Sequence, residues 1–376
     1  MPEQFETITQ PAVISLCPPK LNPKTILRQL NCIRPMREGC FNISTDKIGA
    51  KQIVHCYGHG GAGWTTLFGS VGKAISLLPK EAAPIRVIGS GCIGLTAAIE
   101  LTRLGYQVAG ITTREVYDIP SWRAAGYFAF VSLNTSPEER ENLNAMGVET
   151  FKTCRLIEAG NHPYISADAV RKLPVYSSKE TEAGIEELEA LGLIPPHEEV
   201  TLDFGSGARH EGFVKYISYF LDTTKMMKQL LAEVATLGIP IEFKGVKSFD
   251  EIEEKVIFNC TGIGSRELNH DDKIIPVKGH LVLLNERSGI DHMDYIIYTK
   301  VIQDGREEYI YMFPKAMSVS SSNLNGEPCQ CALGGTFIPH VDRLTQEQSE
   351  ELDRIEFQKL LDRNSLFFHN VPFPNQ

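Results

Sequence analysis

The chain carries no excess of basic charge: 37 Lys and Arg stand against 47 Asp and Glu, a formal net charge of −10. A nucleic-acid partner would want the opposite balance, so that class is excluded. The nine cysteines, at positions 17, 32, 40, 56, 92, 154, 260, 329 and 331, contain no CxxC pair and no zinc spacing. No metal site is expected, and an odd cysteine count without a framework reads as reduced thiols in a cytosolic setting. No apolar run approaches the roughly 18 residues of a membrane span. The first residues, Met1 to Glu6, lack a basic region followed by an apolar core. The last, Pro372 to Gln376, carry no peroxisomal tripeptide. The resulting expectation is a cytoplasmic protein with no membrane partner. No internal repeat is found.

What is present is an ordinary globular mixture, 42% hydrophobic and 22% charged over 376 residues, enough for two domains and a large core. Residues 1–23 read as an irregular, Pro-rich segment. Asn22-Pro23 reads as the cap and first turn of a helix over 24–30. Phe41–Ser44 and Gln52–His55 alternate like strands. Leu67, Val71, Ala74, Ile75 and Leu78 mark one helix face, stopped by Pro79. The linker 79–84 spans at most about 20 Å, which keeps that helix end beside the strand Ile85–Ile88. A helix over Leu95–Leu104 and a strand over Gln107–Thr112 follow. Residues 136–200 are acidic and punctuated by proline, a pattern of peripheral structure. A capped helix to about Thr236 precedes strands at 239–246 and 256–260. Runs at 279–284, 309–313 and 330–337 predict a largely antiparallel second sheet, ahead of a terminal helix near 345–362.

Two glycine-rich stretches carry the chemistry. Gly89-x-Gly91-Cys92-Ile93-Gly94, between an apolar strand and a helix, has the spacing of a dinucleotide phosphate turn. Its first glycines allow tight turning and close approach, its third close helix packing, and the helix N-terminus favours an anion. The acid expected after the second strand is displaced. Glu115 is the candidate for an adenosine ribose, a solvated surface Glu being the open alternative. Arg114 faces either that ribose or the pyrophosphate.

The earlier stretch runs from His55 to Thr65 and reads HCYGHGGAGWT. As a P-loop it fails for want of the lysine. As a metal site, His55 and His59 lack a third ligand. What remains is a loop that lets backbone approach a flat ligand and ends at a helix N-terminus. Its donors at Trp64 and Thr65 suit an electron-rich oxygen.

This loop, with Ile33-Arg34-Pro35-Met36-Arg37 ahead of it, resembles the C-terminal signature of the D-amino-acid oxidase family of flavoenzymes. Asn259-Cys260-Thr261-Gly262, Tyr311-Met312-Phe313-Pro314, Leu333-Gly334-Gly335-Thr336 and Ala124-Ala125-Gly126-Tyr127 extend the resemblance over most of residues 25–365. In that family the signature ends the chain and the dinucleotide turn begins it. Here the order is reversed while the cyclic order is kept, so the chain resembles a circularly permuted member.

The resemblance implies an α/β protein with a Rossmann-like FAD-binding domain and a mixed, largely antiparallel substrate domain. The first would comprise 45–135 and 219–270, with the 24–30 helix nearby; the second 31–44, 136–218 and 271–376. It implies FAD held by Gly89, Gly91, Ile93, Gly94, Arg114, Glu115, Ser121, Ala125, Gly126, Val246, Thr261, Gly262, Gly60, Gly63, Trp64 and Thr65. Arg34 would clamp the substrate carboxylate, helped by the Tyr311 hydroxyl, while the Gly61 carbonyl receives the amino group. Arg37 would be structural, and Tyr309 is a weak match to a lid tyrosine. The implied reaction is oxidation of a D-amino acid by hydride transfer to flavin. Molecular oxygen returns as peroxide, and the imine hydrolyses to a 2-oxo acid and ammonia. A glycine- or sarcosine-type amine oxidase, a dehydrogenase and a flavin-binding protein without turnover stay open as alternatives. So does the choice between monomer and homodimer. Cys56, Ala62 and Ile119-Pro120-Ser121 depart from the family pattern.

Overall fold

Ile85-Arg86-Val87-Ile88 forms a strand whose apolar residues are all buried, as a parallel sheet covered on both faces requires. In the computed structural model, residues 10–78, 83–130, 136–181, 184–285, 293–303, 305–314 and 329–374 are described. Most of the expected linker 79–84 and both chain ends lie outside them. The fold is mixed α/β with two sheets.

The smaller sheet has six strands. In spatial order these are β10 (Ile241–Phe243), β6 (Val108–Thr113), β5 (Ile85–Ile88), β11 (Val256–Asn259), β4 (Lys51–Tyr57) and β3 (Asn42–Ile48). All pair in parallel except β3, which returns antiparallel on β4. Helices α1 (Leu67–Ile75), α2 (Cys92–Arg103) and α6 (Thr223–Thr236) accompany this sheet, with the short α3 (Pro120–Arg123) beside them. At the β5–α2 turn, a side chain on Gly89 would overlap the Cys260 carbonyl, and one on Gly94 the Gly89 carbonyl. Gly94 thus has the close-packing role its spacing implies, while Gly89, in the positive-φ region, is required by its turn and by the neighbouring Cys260 carbonyl.

The segment 136–200 corrects the expectation of peripheral structure. It contains α4 (Pro137–Glu158), opened by a Ser136/Glu139 capping box with Pro137 in the first turn. Leu143, Gly147, Thr150, Phe151, Cys154 and Ile157 are buried along one side. The Thr150 hydroxyl accepts the N–H groups of Phe68 and Gly69 in α1, at 3.2 and 3.3 Å. The Glu-rich outer face obscured this stripe in the sequence.

The larger sheet has ten strands. Its order is β1 (Ala12–Ser15), β8 (Glu198–Asp203), β9 (Arg209–Leu221), β7 (Val170–Ser178), β13 (Ile296–Gln303), β14 (Arg306–Phe313), β15 (Cys329–Gly334), β12 (Ile274–Asn285) and β16 (Ile338–Pro339). The tenth, β2 (Ile26–Arg37), pairs antiparallel with β12. Helices α5 (Ile185–Ala190), α7 (Ser265–Leu268) and α8 (Gln346–His369) complete the described elements.

The helix expected over 24–30 is instead the start of β2. Asn22 and Thr25 close a single turn, with the Thr25 N–H on the Asn22 carbonyl at 3.0 Å. The chain then extends because β12 offers a full ladder from Ile26 to Arg37, and tertiary pairing overrides local propensity. The strand at Asn42–Ile48 pairs in the smaller sheet, so the change of sheet falls between Arg37 and Asn42 rather than at residue 44.

One large apolar cluster runs from α1 and α2 through Tyr127 to Tyr298, Tyr311 and Phe313, so the two sheets share a core. A second lies under α8 and brings Leu21 together with Phe367, Phe368 and Phe373. There the His369 Nε2–H donates to the Pro19 carbonyl at 2.8 Å. Residues near both ends of the chain are thus neighbours.

Candidate active site

Between the sheets lies a cleft of about 1280 Å³, open space at its mouth included. One wall is built from turns of the smaller sheet. Gly91, Cys92 and Ile93 present the α2 N-terminus to it, and Gly91 caps that helix with no side-chain acceptor. Its first N–H groups therefore need an outside partner. The Ser121 hydroxyl takes the Cys92 N–H at 3.0 Å, and the Trp64 indole N–H is anchored on the Ser121 carbonyl at 3.1 Å.

Gly58 to Thr65, at the end of β4, form the next part of the wall, with Ala62 set back from the surface. His59 is buried and stacked on Phe41 at 4.3 Å. Burial alone pushes its imidazole down to about 3, so the ring is neutral at ordinary pH. Its Nε2 lines up with no hydrogen-bond partner, an orphaned polar atom in a wall that faces the cleft. Burial also pushes the Cys92 thiol up to about 11 and raises Cys56 and Cys260, the other two thiols of this wall.

β2 is stitched to this loop. The Gly60 N–H donates to the Pro35 carbonyl at 2.9 Å, and the Arg37 N–H to the Gly58 carbonyl at 3.2 Å. Arg34 therefore projects beside the glycine loop. Its Nη2 donates to Tyr311 Oη at 2.8 Å and its Nη1 to the Thr336 carbonyl at 3.1 Å. The Phe337 ring lies 4.4 Å from the guanidinium carbon, a cation–π contact. Two glycines clear the space. A side chain on Gly279 would overlap the guanidinium, and one on Gly334 the Tyr311 ring. Among the described residues no carboxylate pairs with Arg34, and no Asp, Glu or Lys lines the cleft. Arg37 is occupied elsewhere, in an ion pair with Asp271 at 2.8 Å.

The cleft brings together Arg34, Tyr311, Gly60, Gly61, Gly63, Trp64, Thr65, Gly91, Ile93, Ser121, Ala125, Gly126 and Gly262. Gly89 and Gly94 stand behind its wall as packing residues. Thr261 binds back to Asn259 Oδ1 at 2.8 Å. Arg114, Glu115 and Val246 lie apart, around the ends of β6 and β10. Arg114 lies against Gly245, Val246 packs beside Phe249 and Ile252, and the Glu115 carboxylate accepts the Val116 and Tyr117 N–H groups.

Sequence reasoning missed Tyr298, Phe313, Phe337, Leu281, Cys32 and Arg123, which also line the cleft. Tyr298 stacks parallel to Tyr311 at 6.4 Å. Period-two alternation in β13 and β14 put these rings on one face. The position opposite the loop could be known only from pairing. Tyr309 touches Tyr298 and Phe337 but does not line the cleft. Among the described residues no group of three or more His, Cys, Asp or Glu is placed to hold a metal ion. No described helix is long and apolar enough to cross a membrane.

A family model described as FAD dependent oxidoreductase matches residues 85–370. A D-amino-acid oxidase of Dictyostelium discoideum is 32% identical over 93 residues, 23% of this chain and 27% of that protein. A D-amino-acid oxidase of Streptomyces coelicolor is 27% identical over 209 residues, 54% of this chain and 59% of that one. The matched stretches therefore span about a quarter and under two thirds of these relatives' lengths. Among solved structures, iminodiacetate oxidase from Chelativorans sp. BNC1 aligns over 76% of this chain and 79% of its own, with 14% identity and a TM-score of 0.49.

Proposed function

This chain belongs to the FAD dependent oxidoreductase family, and from that premise we propose that it oxidises the Cα–N bond of a D-amino acid. The observation that carries the reading is Arg34. It is a cation held by a phenol, a carbonyl and an aromatic face, with no carboxylate partner among the described residues, in a cleft lined by aromatic rings. A part-buried guanidinium without a counter-ion is made whole by a bidentate carboxylate. The names of the curated relatives supply the D-amino-acid part of the reading.

The residues present fit FAD. The α2 N-terminus, whose Cys92 N–H rests on the Ser121 hydroxyl, and the O–H of that hydroxyl would take the pyrophosphate. The orphaned His59 nitrogen and the backbone of Gly60–Thr65 would meet the ring system, together with Ala125, Gly126 and Gly262 of the same cleft. Gly89, Gly94 and Thr261 would support that wall, and Arg114, Glu115 and Val246 the adenosine end. When bound, FAD supplies a two-electron oxidant for the substrate.

The chain's own residues bind and align. Because Arg34 donates to Tyr311 Oη, the Tyr311 O–H is left to donate to the substrate carboxylate, alongside Arg34 itself. The Gly61 carbonyl would accept an amine N–H, and Tyr298, Phe313 and Phe337 exclude water. Among the described residues the cleft wall offers no carboxylate or lysine as a base, so the ammonium form of the substrate would lose its proton to solvent before oxidation. The substrate then gives up two electrons and two protons, and the imine hydrolyses to a 2-oxo acid and ammonia. We read the chain as a circular permutant: the family match begins at residue 85, whereas the Arg34 strand and the glycine loop precede it. Packing of Pro19 against His369 supports that reading.

Anaerobic addition of D- and L-amino acids to the FAD-loaded protein tests the reaction. Bleaching of the flavin absorbance by D-amino acids is expected; none by any member of the panel sinks the reading. Joining the two ends and reopening the chain within 79–84 should leave FAD binding intact if the permutation is correct.

A further inference from the structure

Arg34 does not reach its position on its own strand alone. Its side chain crosses Gly279 of β12 and ends on the Thr336 carbonyl, 3.1 Å away. Thr336 is buried, and its side chain is locked. Thr336 Oγ1 accepts the His280 backbone N–H at 2.7 Å and faces His280 Nδ1 at 2.9 Å. His280, fully buried, places Nε2 on Asp353 Oδ1 at 2.9 Å. Asp353, on α8, also receives Lys278 Nζ at 2.7 Å and Asn31 Nδ2 at 2.6 Å.

The proton inventory of this chain closes. A carboxylate beside Nε2 makes that nitrogen the donor. Nδ1 of the neutral ring is then the acceptor, and the Thr336 hydroxyl donates to it while accepting the His280 N–H. Burial outweighs Asp353 and lowers the His280 pKa, which keeps the ring neutral. The Lys278 ammonium balances the Asp353 charge, so a neutral histidine suffices. No group in the chain is left to rotate.

We infer that Asp353, His280 and Thr336 are positioning residues that hold Arg34 in register for a substrate carboxylate. α8, which has no residue in the cleft wall, thereby sets the geometry of the cleft. This inference rests on the reading of Arg34 as the carboxylate site. It adds that the Arg34 geometry depends on a polar chain three elements deep.

Binding of phenylacetate to the FAD-loaded protein, followed through the flavin spectrum, is the test, with phenylacetamide as the uncharged control. Thr336→Val keeps the shape and removes the hydroxyl. It should weaken phenylacetate about tenfold, the scale of one hydrogen bond in a charged site, and leave phenylacetamide unchanged. Thr336→Ser should restore wild-type binding. Asp353→Asn should act in the same direction, with folding checked by retained flavin and melting temperature. In an Arg34→Ala background neither change should have a further effect, because coupled groups are non-additive. A strong Arg34→Ala effect with a silent or fully additive Thr336→Val overturns the relay alone. No effect of Arg34→Ala on phenylacetate overturns the carboxylate site and the relay with it.

Discussion

The two walls of the cleft are made of different material. The wall from the smaller sheet is largely backbone: glycine turns and a helix end, with the Ser121 hydroxyl, the His59 imidazole and three thiols among them, gathered from a few short runs of sequence. The wall from the larger sheet is side chain: Arg34, Tyr298, Tyr311, Phe313 and Phe337, drawn from separated strands and segments. Backbone groups cannot be exchanged by mutation, whereas side chains can. On the proposed reading the first wall holds the cofactor and changes little under substitution, and the second is where substrate preference would be altered.

The strongest way to break this contrast is at the turn. Gly94→Val puts a side chain onto the Gly89 carbonyl, and we expect loss of bound FAD with several kcal/mol of stability, roughly 3 or more. A folded, yellow variant would mean that this wall tolerates side chains after all. Arg34→Ala comes next. The Michaelis constant for the amino acid should rise by roughly 10- to 150-fold, the equivalent of about 1.5–3 kcal/mol, while FAD content is unchanged. Loss of FAD in that variant would join the two walls into one functional unit.

Acid should act on the cofactor wall. His59 has a folded-state pKa of about 3 against an ordinary 6.5, so between these values the unfolded chain binds more protons. Stability is then complete well above pH 6.5 and falls as pH drops through 6.5 towards 3, by roughly 1–2 kcal/mol between pH 6.5 and 5. In His59→Phe, melting temperatures over that interval should depend less steeply on pH; an unchanged slope would assign the acid sensitivity elsewhere. Tyr311→Phe should have the smallest effect. Losing one hydroxyl should raise the Michaelis constant by roughly 2- to 12-fold, again with FAD retained. A turnover loss larger than that of Arg34→Ala would give Tyr311 a role beyond the carboxylate.

The same division explains what could be read in advance. Gly89–Gly94 and Gly58–Thr65 are local motifs in which spacing alone encodes geometry, and both line the cleft or lie directly behind its wall. Ile26–Arg37 was misread at its start because Asn22-Pro23 is a sound helix-opening signal, and the competing ladder on β12 lies far along the chain. α4 was hidden by its charged outer face. The link between Asp353 and Arg34 has no sequence signature: its members sit at 34, 280, 336 and 353, joined only by strand pairing and helix docking. Tyr298 was equally silent, since an alternating strand does not reveal which cavity its inner face meets.

The bonds from Gly60 to Pro35 and from Arg37 to Gly58 have a mechanical consequence. β2 is laddered to β12 along nearly its whole length, and at its far end it is sewn to the glycine loop of the other sheet. It acts as a strap across both layers. The layers cannot part at this edge without tearing main-chain bonds, so Arg34 and the glycine loop travel as one body. A second main-chain tie lies beside Tyr298 and Phe313, where the Leu221 N–H donates to the Gly126 carbonyl at 2.8 Å and the Phe128 N–H to the Tyr219 carbonyl at 2.9 Å, so the larger sheet is sewn to the cleft wall in two places.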